Sequence, residues 1–218
     1  MSAQGARGGS GRFWFGLSLG FLILAVILAA ASPTEKTLGS LLGPIYLHIG
    51  YVVGALLLFL VSATSAIAAL VTQTDGRSSR AFAISREALG LAVLSWLVYV
   101  AFSMFIAAQA WGAVNWQEPR LVNAFHVLIW VGACEVLMRV VEGNGRVALT
   151  AASGLGAIAL WARRGTMLHP FAPIRTSDSA AIKGYALGVL ISVVISLALL
   201  LYARIREIDT AGSSSCES

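Results

Sequence analysis

The sequence predicts an all-α, polytopic membrane protein: a bundle of six transmembrane helices joined by short loops. Of its 218 residues 58% are hydrophobic and 11% charged, and the mean hydropathy is +0.82. That composition is incompatible with an ordinary water-soluble globule. Apolar stretches long enough to cross roughly 30 Å of hydrocarbon recur along the chain, giving six candidate spans. All five prolines (Pro33, Pro44, Pro119, Pro170 and Pro173) fall in alternate connections, on one side of the membrane. A rigid non-helical backbone is tolerated there.

The first span, 13–31, follows "MSAQGARGGSGR" and ends in "AAASPTEK", which is similar to a signal-peptidase site. Its length and the five spans after it argue for a retained helix. The others are 45–71, 88–110, 121–141, 147–162 and 181–203. The fifth is short and rich in Ala and Gly, which leaves a five-span alternative open. Residues 1–12 then form an N-terminal tail, 13–203 the membrane domain, and 204–218 a tail whose "GSSSCES" has a disordered composition. "TQTDGRSSRAFAISRE" reads as a polar tether between spans two and three. "GYVVGALL" and "GLGAIAL" supply small residues for close helix contact.

Nine of the fifteen basic residues (Arg7, Arg12, Arg77, Arg80, Arg86, Arg139, Arg146, Arg204 and Arg206) lie with the termini. Lys36, Arg120, Arg163, Arg164, Arg175 and Lys183 lie opposite. The positive-inside bias puts both termini in the cytoplasm, in a plasma (inner) membrane protein, and the loop 110–121 outside. Cys134 and Cys216 form no C-x-x-C pair, so thiol exchange and covalent haem attachment through such a motif are not expected. No Gly-rich phosphate loop or internal repeat is present, and no nucleic-acid partner is expected.

The chemistry concentrates on the predicted outer face. His48 stands near the outer end of span two, His169 in "MLHPFAP" before span six, and His126 about two turns into span four. Two neutral imidazoles from different segments can hold a haem iron from opposite faces, and His48 and His169 are the natural pair. Singly, each is equally readable as an interfacial histidine bonded to a carbonyl or water. Trp111 and Trp116 suit an aromatic belt, but Glu118-Pro119-Arg120 adds a rigid turn and a cation directly after them. An apolar shelf beside arginine complements a flat porphyrin with anionic propionates. Glu118 would orient Arg120 or cap span four. Arg163, Arg164 and Arg175 are further propionate candidates, or snorkelling side chains. Glu135 and Arg139 have the i, i+4 spacing of a helix ion pair, and Glu87 beside Arg86 reads as a solvated helix start.

"WGAVNWQEPR" resembles the tryptophan-rich WWD signature, roughly W-G-x-x-W-x-W-D-x-[RK], of haem-handling proteins of cytochrome c biogenesis. With six spans, a short chain and "PIYLHIGYVVGA" opening span two, the sequence is similar to the CcmC branch of the CcmC/CcsA family. The resemblance implies a carrier more than a classical enzyme, one that binds haem b transiently and without a covalent bond. His48 and His169 would be the axial ligands, and Trp111, Gly112, Trp116, Glu118 and Arg120 the platform. It also implies a CcmE-like haem chaperone as recipient, with CcmA/CcmB-like ABC-transporter subunits and a small membrane subunit as partners within the lipid membrane. Glu118 replaces the family's usual aspartate, and Val114, Asn115 and Gln117 occupy a stretch normally richer in tryptophan. The shelf is correspondingly smaller. Competing readings are a b-type cytochrome electron-transfer subunit, which would set histidines inside facing helices, a haem-free transporter or permease subunit, and a structural subunit anchored by its tryptophans.

Overall fold

The computed structural model describes residues 9–35, 38–72, 77–163 and 177–214. They form six helices: α1 (Gly9–Ala30), α2 (Leu42–Val71), α3 (Arg77–Trp111), α4 (Pro119–Leu137), α5 (Asn144–Ala162) and α6 (Ala180–Ser214). Each is long and apolar enough to cross a membrane, because a backbone in hydrocarbon must satisfy its hydrogen bonds internally. The chain is an integral membrane protein of all-α class. The fifth segment is a full helix, which removes the five-span alternative. Among the described residues the one β-type pairing is an isolated bridge between Glu35 and Gly39.

The helix α2 is the hub, packing against α1, α3, α5 and α6; α1 lies on α6, and α4 mainly on α5. Lipid is as apolar as leucine, so close packing and polar contacts must hold such helices together. A Cβ on Gly50 would lie 3.0 Å from Val193, and one on Gly54 2.5 Å from Leu197, both on α6. A Cβ on Gly154 of α5 would stand 2.5 Å from the Phe59 carbonyl oxygen of α2. Serines add polar clasps at these crossings. Ser85 Oγ donates to the Ser62 carbonyl at 2.8 Å, joining α3 to α2. Ser18 Oγ donates to the Ser196 carbonyl at 2.8 Å, and Ser196 Oγ returns a bond to the Ser18 carbonyl at 2.9 Å, joining α1 to α6.

The ends of α1, α3 and α5 and the starts of α2, α4 and α6 lie at one end, here the tryptophan end. The termini end departs from the sequence reading. Helix α3 starts at Arg77 rather than 88, so much of the supposed tether is helical. Ala81 and Phe82 pack against a cluster of Ala66, Ala69, Val147 and Ala151. Arg80 makes a two-pronged pair with Asp209 of α6, both bonds 3.0 Å. Helix α6 correspondingly runs past 203 to Ser214, and Arg204 lies 3.9 Å from Glu87.

Glu135 does not pair with Arg139. The Arg86 guanidinium of α3 grips both its carboxylate oxygens, at 2.7 and 2.9 Å. Helix α4 ends at Leu137, so Arg139 falls in the following turn, where the i, i+4 spacing no longer holds. Arg86 also donates to Met138 Sδ (3.3 Å), to which the Thr150 hydroxyl bonds at 3.1 Å. One charge pair thus ties α3 to the α4–α5 hairpin.

Two outcomes test this packing. Gly154→Ala should destabilise the bundle by about 1–3 kcal/mol through overpacking, while Gly90→Ala, with nothing within 4 Å of its Cβ, should not lower the melting temperature in detergent. Glu135→Gln should lower stability by about 1–2 kcal/mol, less than for a fully buried pair because the side chains are 35% and 37% exposed. The swap Arg86→Glu with Glu135→Arg should recover part of that loss in the same thermal assay.

Candidate functional site

The tryptophan end is organised around aromatic residues of α3. Trp96 is fully buried and donates from Nε1 to the Ala124 carbonyl of α4 at 3.0 Å, the partner a buried indole requires. One turn along, Tyr99 is also buried, its ring centroid 5.0 Å from Trp96 and 5.4 Å from Trp161 of α5. Trp161 stands edge-on to Trp96 at 5.3 Å. Three helices therefore meet through three rings.

His48 enters this cluster from α2. Its ring centroid lies 4.7 Å from Tyr99, tilted by 44°, and its Nδ1 is 3.2 Å from Ser103 Oγ. Ser103 follows Tyr99 by one turn on the same face of α3. From the opposite side the Arg120 guanidinium lies over the Trp161 ring, 4.9 Å from its centroid. That cation–π distance is favourable and stronger where water is excluded. A continuous set of side chains thus links Arg120 through Trp161 and Tyr99 to Ser103 and His48.

The loop between α3 and α4 carries the other predicted residues. Gly112 has φ +75°, a left-handed turn that glycine adopts without strain, directly after α3 ends at Trp111. Trp111 and Trp116 are 54% and 61% exposed, large apolar surfaces left open at the end of the bundle. Trp116 meets Phe125 of α4, 6.1 Å between ring centroids, rather than Trp111. Asn115 Oδ1 accepts the Gln117 amide at 3.0 Å, and the Glu118 amide bonds to the Asn115 carbonyl at 3.1 Å, so this tryptophan-poor stretch is a local turn. Glu118 occupies the N-cap position of α4 but makes no side-chain cap bond, and Pro119 begins the helix. Proline lacks one amide donor and starts a helix pre-formed. The capping role expected for Glu118 is therefore not adopted.

His48, Trp111, Gly112, Trp116, Glu118 and Arg120 thus share one end of the molecule, with His48 joined to Arg120 through aromatic rings. His169, Arg164 and Arg175 lie outside the described residues. Arg163 caps the end of α5, and its carbonyl accepts a bond from Asn123 Nδ2 at 3.1 Å. His126 is exposed, on the face of α4 away from the packed stripe Leu121, Ala124, Val127, Val131 and Cys134. It therefore does not look toward a facing helix of this chain. Ser103, Trp96 and Trp161 do not stand out in the sequence. The one signal was the spacing of Trp96, Tyr99 and Ser103, which places them on one helix face. That spacing does not reveal that His48 sits opposite.

Compared with known proteins, the chain matches no family model and no curated sequence. Its functional reading rests on its own geometry and on the motif resemblance.

The aromatic cluster makes a direct prediction. Trp161→Ala should remove the seat of Arg120 and one wall around Tyr99. The expected signature is a marked loss of near-ultraviolet circular dichroism with the far-ultraviolet spectrum of six helices retained.

Proposed function

We propose that this protein is a haem-handling subunit of cytochrome c biogenesis, of CcmC-like type, which binds haem at the tryptophan end and passes it on. The observation that carries the reading is the placement of His48. It is half-buried at the end of the bundle where Trp111 and Trp116 are exposed, and it is linked to Arg120 through Tyr99 and Trp161. Haem asks for this combination: an imidazole for iron, apolar rings for the porphyrin and a guanidinium for a propionate.

Topology supports His169 as the second ligand. The connection 163–179 leaves α5 beside Trp161, which touches Tyr99, and enters α6 beside Ile182, which packs with Leu42 and Tyr46 of α2. Both described ends flank the first turns of α2, where His48 resides. Haem is cargo on this reading, so binding must be reversible. His48 is carried by α2 and His169 stands in the sequence between α5 and α6, so the two ligands come from different segments and one bond to iron can break while the other holds.

On the same reading the basic excess places the termini in the cytoplasm and the tryptophan end on the outer face of the plasma membrane. The recipient is a CcmE-like haem chaperone, with CcmA/CcmB-like ABC-transporter subunits and a small membrane subunit as partners. The b-type cytochrome alternative draws no support from His126, which faces away from the other helices of the chain.

The test is an absorption spectrum of detergent-purified protein produced with ample haem, beside His48→Ala and His169→Ala. The expected result is a Soret band with low-spin bis-histidine features in the wild type that weakens in each variant. A colourless wild type after haem addition, or a spectrum indifferent to both substitutions, would sink the proposal.

A further inference from the structure

The His48 ring meets the neighbouring helix at two points. Its Nδ1 meets Ser103 Oγ at 3.2 Å and its ring lies 4.7 Å from Tyr99, both residues of α3. The relative register of α2 and α3 is set elsewhere, by the Ser85–Ser62 bond and by the Phe59–Trp96 ring contact at 5.9 Å. The position of the Ser103 hydroxyl opposite the imidazole is therefore imposed by the fold and not by rotamer choice on an exposed surface.

An imidazole that ligates a metal through one ring nitrogen generally has the other fixed by a hydrogen bond, which sets its tautomer and orientation. A serine hydroxyl has two lone pairs and one proton. It can accept from Nδ1–H of His48, whose ring lies against Tyr99. We propose that Ser103, backed by Tyr99, is a positioning residue that holds His48 as the Nδ1–H tautomer and so makes Nε2 the nitrogen that meets haem iron. The inference rests on the haem-handling reading, and it assigns to that site a supporting residue and a choice of ring nitrogen. Tyr99 also meets Trp161, over which Arg120 lies, so that axial ligand and propionate partner share one scaffold.

The experiment has two readouts. In protein labelled with 15N-histidine, with His48→Ala used for assignment, the nitrogen chemical shifts report the tautomer without haem. Wild type is expected to show Nδ1 protonated and Nε2 not, Ser103→Ala a mixture of tautomers, and Ser103→Thr the wild-type pattern. In haem titrations, Ser103→Ala should weaken binding by about ten-fold and raise the reduction potential, since a less basic imidazole stabilises ferric iron less. Ser103→Thr should restore both, and Tyr99→Phe should give a smaller change in the same direction.

If wild type binds haem through His48 but Ser103→Ala matches it in tautomer, affinity and potential, the positioning role is overturned and haem handling stands. If wild type shows no Soret band, the haem-handling reading falls and takes this inference with it.

Discussion

Close approach at helix α2 is the constraint on which the rest of this structure depends. In water a helix earns its place by burying an apolar face; in lipid that gain is absent, and contact distance decides. Gly50, Gly54, Ala55, Ser62, Ala63, Ala66 and Ala69 are all buried along α2. Their small side chains let α3, α5 and α6 approach one central rod. Gly43, near the first turn, lets the backbone of α2 pass against the Ala29 carbonyl of α1. His48 lies on this same rod, between Gly43 and Gly50. The packing that holds the bundle together is thus also what brings an imidazole against Tyr99 and Ser103.

Charges follow from the same solvent. Arg86–Glu135, Arg80–Asp209 and Arg204–Glu87 all lie toward the termini end, each joining residues distant in sequence. They lengthen α3 and α6 beyond the hydrocarbon and lock them to each other and to α4. At the tryptophan end Arg120 is seated instead on an aromatic face. An arginine held by an indole keeps its charge uncompensated by that contact and available to an anion, whereas one bound in two prongs by a carboxylate has spent it. The two ends therefore hold their charges differently, one in ion pairs that fasten helices together and one over an aromatic ring.

The fold was legible because spans are long and their chemistry is repetitive. The six helices and the shared end of His48, Trp111, Trp116 and Arg120 follow from hydropathy and alternation alone. What escaped was everything set by relations between helices. Glu135 was assigned to Arg139 because spacing within a helix is visible in sequence; Arg86, forty-nine residues earlier, is not. The start of α3 was missed because "RSSR" is polar, although the helix already runs through it and Arg80 pairs there with Asp209 of α6. Ser103 is unremarkable in sequence, one small hydroxyl among many, and acquires meaning only when α2 sets His48 opposite.

The separation between rigid and open parts bears on how a carrier can bind and release. A site built wholly on packed helices would hold its cargo at an affinity fixed by the core, and letting go would require the core to move. A site built wholly on loops would lose orientation. Here His48 lies against the buried Tyr99 and Arg120 over the partly buried Trp161, while Trp111, at the end of α3, and Trp116, in the turn that follows Gly112, are half-exposed. On the haem-handling reading, orientation comes from the anchored pair, and grip from surfaces that a partner can reach and displace. A protein docking over the exposed tryptophans would compete for the porphyrin face before touching the iron. Release on that reading would begin at the solvent side, with the helical core left unchanged.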